Sequence, residues 1–75
     1  MEELIEYIAE SLVDDPSAVD VRVRRRGKDV RLELTVADAD MGRVIGRGGR
    51  VANAMRSLLR VAASQEGVRA TLDII

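Results

Sequence analysis

Between Glu2 and Val13 the apolar residues Leu4, Ile5, Ile8, Ala9, Leu12 and Val13 recur every three or four positions, while Glu2, Glu3, Glu6 and Glu10 fill the other side. That period predicts an amphipathic helix with one face against a core. Asp14-Asp15-Pro16 ends it, because proline has no amide to donate and pushes its predecessor out of the helical region. From Val19 the period changes to two. Val19, Val21 and Val23 alternate with Asp20, Arg22 and Arg24, and Val30, Leu32, Leu34 and Val36 alternate with Arg31, Glu33 and Thr35. These are two half-buried strands. The short polar link Arg25-Arg26-Gly27-Lys28-Asp29 predicts that they pair as a hairpin.

Asp38 and Asp40 precede Met41-Gly42-Arg43-Val44-Ile45 and suit helix N-caps, where a carboxylate meets the positive end of the dipole. This helix is short, since Gly46-Arg47-Gly48-Gly49 follows at once and three glycines in four residues are too costly for a helix interior. A longer helix resumes from about Arg50 to Ser64 and is ended by Gly67. Val68, Ala70, Leu72 and Ile74 then alternate with Arg69, Thr71 and Asp73 as a last strand. After a two-helix crossover, that strand should lie parallel to its predecessor. The pattern therefore predicts an α+β fold, order α-β-β-α-α-β, with a three-stranded mixed sheet and three helices on one face.

Seventy-five residues support one domain spanning 1–75, with a core small enough that a partner would help it. The absence of Cys and His removes disulfides, thiolate chemistry, Cys/His zinc sites and the commonest general base. Ser11, Ser17, Ser57 and Ser64 have no evident base beside them, so an enzyme is disfavoured and no cofactor or metal is expected. The start Met1-Glu2-Glu3-Leu4 lacks the basic stretch and apolar run of a secretory leader, and nowhere do 18 apolar residues run together. The reading is a cytoplasmic protein with no membrane insertion.

Twelve basic and 13 acidic residues give a net charge of −1, which taken alone argues against nucleic acid. The charges are segregated, however. Residues 1–20 carry −7, residues 21–37 carry +4, and residues 41–65 carry Arg43, Arg47, Arg50, Arg56 and Arg60 with no acid. Salt screens fields over about 8 Å, so a local basic surface can hold a polyanion while acids elsewhere are screened. Arginine at all five positions suits bidentate phosphate contacts.

The run Gly42–Arg50 fails as a Walker A loop, because Arg50-Val51 stands where Lys-Ser/Thr is needed. It fails as a dinucleotide fingerprint, because the third glycine position holds Val51. Gly42 and Gly46 match a membrane helix-pairing motif, but in a short basic segment. What remains is a G-x-x-G turn between two helices, Gly46-Arg47-Gly48-Gly49. Glycines at 46 and 49 let a sugar-phosphate backbone come against the main chain at the start of the second helix. Arg47 supplies a mobile cation, and Val44, Ile45 and Val51 can floor an apolar groove for unstacked bases.

With these elements in this order around Val44-Ile45-Gly46-Arg47-Gly48-Gly49-Arg50, the sequence resembles a KH domain of the type II arrangement. Over essentially all 75 residues it is similar to the small bacterial single-KH proteins of the KhpA (YlqC-like) family. The resemblance extends from Tyr7-Ile8-Ala9 and Asp14-Asp15-Pro16 to Ala54-Met55-Arg56. It implies a protein that clamps about four nucleotides of single-stranded RNA, serves RNA regulation and cell-envelope growth, and is often paired with a KhpB (Jag)-like KH protein. Gly46 and Gly49 would be the family's fixed glycines, and Arg47 and Gly48 the variable pair facing RNA. The basic loop with Arg25, Arg26 and Lys28 would flank the groove's other side. Many members carry a polar residue where this chain has Gly48, which bears on affinity.

On a helical wheel the apolar residues of the long helix span about 200°, more than one sheet face requires. Ala52, Leu59 and Ala63 are the expected surplus. They would pack on another helix, face the groove, or form the interface of a homodimer or of a heterodimer with the KhpB-like partner. Two functions from different classes follow. One is single-stranded RNA binding as a chaperone or post-transcriptional regulator. The other is a protein-interaction adaptor in a KH complex, with little RNA binding of its own.

Overall fold

The computed structural model describes residues 1–75. Its elements are α1 (Glu2–Leu12), β1 (Asp20–Arg26), β2 (Asp29–Thr35), α2 (Met41–Ile45), α3 (Arg50–Glu66) and β3 (Arg69–Ile74). Short 3-10 turns at Pro16–Ala18, Asp38–Asp40 and Arg47–Gly49 join them. The strands lie in the order β1-β2-β3, with β2 antiparallel to β1 and parallel to β3. The expected α+β architecture and mixed sheet are therefore present. Period-two burial explains how the sheet meets the helices. Val30, Leu32 and Leu34 of β2 are buried, whereas Asp29, Arg31 and Thr35 on its other face are exposed. Ile5 and Ala9 of α1, Val44 of α2, and Met55 and Leu59 of α3 close over the buried face, with Leu72 of β3 beside them.

Two local features differ from the expectation. The hairpin link is two residues, Gly27–Lys28, because Arg25 pairs with Val30 and Arg26 with Asp29 in the ladder. Charge lowers strand propensity only weakly on a wet face, so the ladder runs to the turn. Asp40 stands at the N-cap of α2 but makes no capping bond, and neither does Asp38 at its own turn. Instead Asp40 is buried and accepts the Asp14 and Asp15 amides through its two oxygens, each at 3.1 Å. The chain beyond α1 leaves those amides without a helical acceptor. A fixed carboxylate that satisfies two of them outweighs one local cap on a five-residue helix.

Candidate nucleic-acid interface

The glycine turn is built on backbone bonds. The Gly46 amide donates to the Gly42 carbonyl at 2.9 Å, and the Gly49 amide to the Gly46 carbonyl at 3.1 Å. Gly46 has φ 76° and ψ 170°, a region open essentially to glycine alone. A Cβ there would stand 2.5 Å from Val51 Cγ2 and 2.8 Å from the Val51 amide nitrogen. Gly46 is thus glycine because α3 begins against it. Gly48 faces open space, and a Cβ on Gly49 would meet only the Asn53 amide nitrogen, 3.8 Å away. The side on which another molecule can approach the main chain is therefore Gly48–Gly49. The first amides of α3, which lack intrahelical acceptors, follow directly.

At 100° per residue Gly49, Asn53, Arg56 and Arg60 share one flank of α3, and this flank leans over β3. Arg56 Nε donates to the Leu72 carbonyl and its Nη1 to Asn53 Oδ1, each at 3.2 Å. Arg60 Nη2 donates to Ser57 Oγ at 3.2 Å. Between α3 and β3 runs an open cleft with Arg56 and Arg60 as its cationic wall, Ala70, Thr71 and Asp73 along the strand, and the buried Leu59 and Leu72 beneath its floor. β3 is an edge strand paired only with β2, so its outer side presents unpaired backbone donors and acceptors to this cleft. Arg47, Arg50, Arg56 and Arg60 take part in none of the ion pairs of the molecule. The arrangement offers a phosphate seat, free cations, the half-exposed apolar Ile45 and Ala70, and backbone groups able to hydrogen-bond base edges.

The structure sorts the residues expected from sequence. Gly46, Arg47, Gly48, Gly49, Arg50 and the half-exposed Ile45 surround the turn, and Val51 lies half-buried beneath it. Val44 is fully buried among the core residues and cannot touch a ligand. Arg43 is bound to Asp14 at 3.0 Å and to Asp40 at 3.5 Å, tying α2 to the chain after α1. Arg25, Arg26 and Lys28 sit at the opposite end of α3. The Lys28 carbonyl accepts the Arg69 amide at 2.8 Å, and the 17 residues of α3, about 25 Å at 1.5 Å each, separate that point from the glycine turn. They do not flank the groove beside the turn.

Ala52, Leu59 and Ala63 are 3 %, 0 % and 2 % exposed and form the centre of the stripe that α3 buries within its own chain. They are no interface. The apolar residues left over are Leu58 and Val61, 50 % and 60 % exposed. Asn53 and the edge of β3 were missed from sequence, and Arg56 and Arg60, counted there among the phosphate-suited arginines, were not placed on the groove. The spacing 49-53-56-60 was a readable signal, but which flank of the helix leans on β3 was not.

No group of three or more His, Cys, Asp or Glu side chains is placed to hold a metal ion, and no helix is long and apolar enough to cross a membrane. A family model described as KhpA/KhpB, KH domain, matches residues 2–74. The chain is 45 % identical over 75 residues to the RNA-binding protein KhpA of Caldanaerobacter subterraneus subsp. tengcongensis, covering 100 % of both chains. It is 47 % identical over 75 residues to the RNA-binding protein KhpA of Treponema pallidum, covering 99 % of this chain and 92 % of that one. Among solved structures it is similar to Era in a complex with MgGDPNP and nucleotides 1506–1542 of 16S ribosomal RNA. The TM-score is 0.61 at 17 % identity, over 96 % of this chain and 28 % of that one, and this likeness bears on the fold alone.

Proposed function

Because this chain belongs to the KhpA/KhpB KH-domain family, we propose that it binds about four nucleotides of single-stranded RNA in the cleft between α3 and β3. One observation carries the reading. Four arginines lack carboxylate partners, Arg47 and Arg50 at the open Gly48–Gly49 backbone and Arg56 and Arg60 on the wall of a cleft beside a free strand edge. A phosphate rests on the glycine turn, where Arg47 clamps it with a bidentate fork. The following bases lie along the half-exposed Ile45 and Ala70, and the polar edge of β3 meets their hydrogen-bonding edges. The chain has no Phe or Trp for aromatic stacking, so contacts of this kind carry base recognition, and sequence preference is low. Residues 1–75 act as one KH domain in the cytoplasm, as an RNA chaperone or regulator without catalysis.

Titration of a labelled uridine pentamer with wild type and with Arg47→Asp/Gly48→Asp tests this. Asp tolerates the left-handed conformation of Gly48, so the fold stays intact. The double variant should bind at least about tenfold more weakly, the loss of a charge-assisted contact with added repulsion. Equal affinity of the two proteins would sink the groove reading. The adaptor reading, with a second copy or a KhpB (Jag)-like KH protein as partner, draws on the exposed Leu58 and Val61. It gains if the wild type binds no RNA at low salt.

A further inference from the structure

The outer face of the sheet carries an arrangement that the groove does not use. Along β1, Arg22, Arg24 and Arg26 point to this face, opposite Glu33, Arg31 and Asp29 of β2. Arg24 and Arg31 stand directly across from one another, a like-charge pair that costs stability in a ladder. Glu33 holds both, at 3.0 Å from Arg24 Nε and 3.9 Å from Arg31 Nε. Every carboxylate on the face is already taken, since Asp20 bridges Arg22, Asp29 bridges Arg69 and Asp73 bridges Arg31. Arg25, Arg26 and Lys28 therefore remain exposed and without a carboxylate partner at the hairpin end. A shallow concavity there is lined by five arginines and one aspartate.

This concavity connects with the groove. The α3–β3 cleft continues past Arg60 and Ala70 along Ser64 and Gly67 to Arg69, which is also a wall of the arginine concavity. These hollows thus adjoin one another from Arg56, about two turns along α3 from the glycine turn, to the hairpin. Both ends of the row carry cations that no acid neutralises.

We propose that the hairpin end, with Arg25, Arg26 and Lys28 at its centre, is a second phosphate-contact surface for the same RNA strand after it leaves the cleft. The inference rests on the reading of the cleft as an RNA site and adds a length dependence to it. A strand of four or five nucleotides fills the cleft alone, whereas a longer one reaches the hairpin. The second contact is then intramolecular and strengthens binding without any new base recognition.

Affinities of a uridine pentamer and of an oligouridylate of about 20 nucleotides, with four nucleotides per groove as the yardstick, should be measured for three proteins. These are wild type, Arg25→Ser/Arg26→Ser/Lys28→Ser and Arg47→Asp/Gly48→Asp. The hairpin variant should lose about tenfold or more on the long RNA and less than about twofold on the pentamer. Its salt slope on the long RNA should fall by about 2, at ~0.7 for each phosphate contact to a single strand. In the wild type, the amide resonances of residues 24–29 should shift with the long RNA and not with the pentamer, a readout that needs no variant.

Equal losses on both lengths, no loss on either, or unshifted residues 24–29 would overturn the proposal. If the long RNA survives the glycine-turn variant and is lost with the hairpin variant, the groove reading fails, and the proposal, which has the strand come from the cleft, fails with it. If the wild type binds neither RNA, both fail.

Discussion

Gly46 and Gly48 look alike in the sequence and carry different constraints. Gly46 combines a glycine-only backbone region with a Cβ position inside Val51, whereas Gly48 has a left-handed backbone and empty space around it. Gly46→Ala should therefore cost about 3 kcal/mol or more, from backbone strain and overpacking together. Gly48→Ala should cost about 1–2 kcal/mol, the left-handed penalty alone. Urea unfolding of the two variants checks this, and equal midpoints would contradict the assigned role of Val51. Three glycines in four residues announced a turn, since nothing else explains their cost. Which glycine the fold itself demands was not legible, because the answer depends on a valine five residues away whose side chain is aimed by α3. Val44 shows the same limit. Apolar and next to the turn, it read as groove floor, yet its position on α2 turns it into the core.

The elements themselves were legible where one period ruled. Alternation in β1, β2 and β3 fixed both their existence and their buried faces, and the parallel pairing of β3 followed from the crossover. α3 was harder, because an apolar arc of about 200° does not say where its centre lies. The centre is set by contact with β3, a tertiary fact, and it falls on Ala52, Met55, Leu59 and Ala63. A substitution pair separates the two sides of this helix. Leu59→Asp removes a fully buried leucine and places an unpaired charge in the core, each costing several kcal/mol. A chain of 75 residues has roughly 4–11 kcal/mol in total, so this variant should be unfolded by circular dichroism. Leu58→Asp, on a half-exposed position, should keep a cooperative melt within a few degrees of wild type, a change of under about 1 kcal/mol. A folded Leu59→Asp protein would mean that the packing of α3 is wrong.

At the scale of the whole molecule, a net charge of −1 hides a division that only the ion pairs reveal. Five of the 12 basic residues, Arg22, Arg24, Arg31, Arg43 and Arg69, are bound to carboxylates. Those same bonds absorb six acids, Asp14, Asp20, Asp29, Glu33, Asp40 and Asp73. The acids left over lie mostly on α1, at Glu2, Glu3, Glu6 and Glu10, and the cations left over lie at the glycine turn, along the α3–β3 cleft and at the hairpin. If net charge governed association, affinity for RNA would hardly respond to salt. If the unpaired cations govern it, the log–log slope against salt follows their number, at about 0.7 per phosphate neutralised on a single strand. Arg47, Arg50, Arg56 and Arg60 then give a slope near −3 for a uridine pentamer, and the hairpin cations bring it near −5 for the longer strand. Fluorescence anisotropy across a salt series separates the two accounts. A slope near zero on both lengths would mean that the acids of α1 reach these cations, and a slope of −3 on both would confine the phosphates to the cleft.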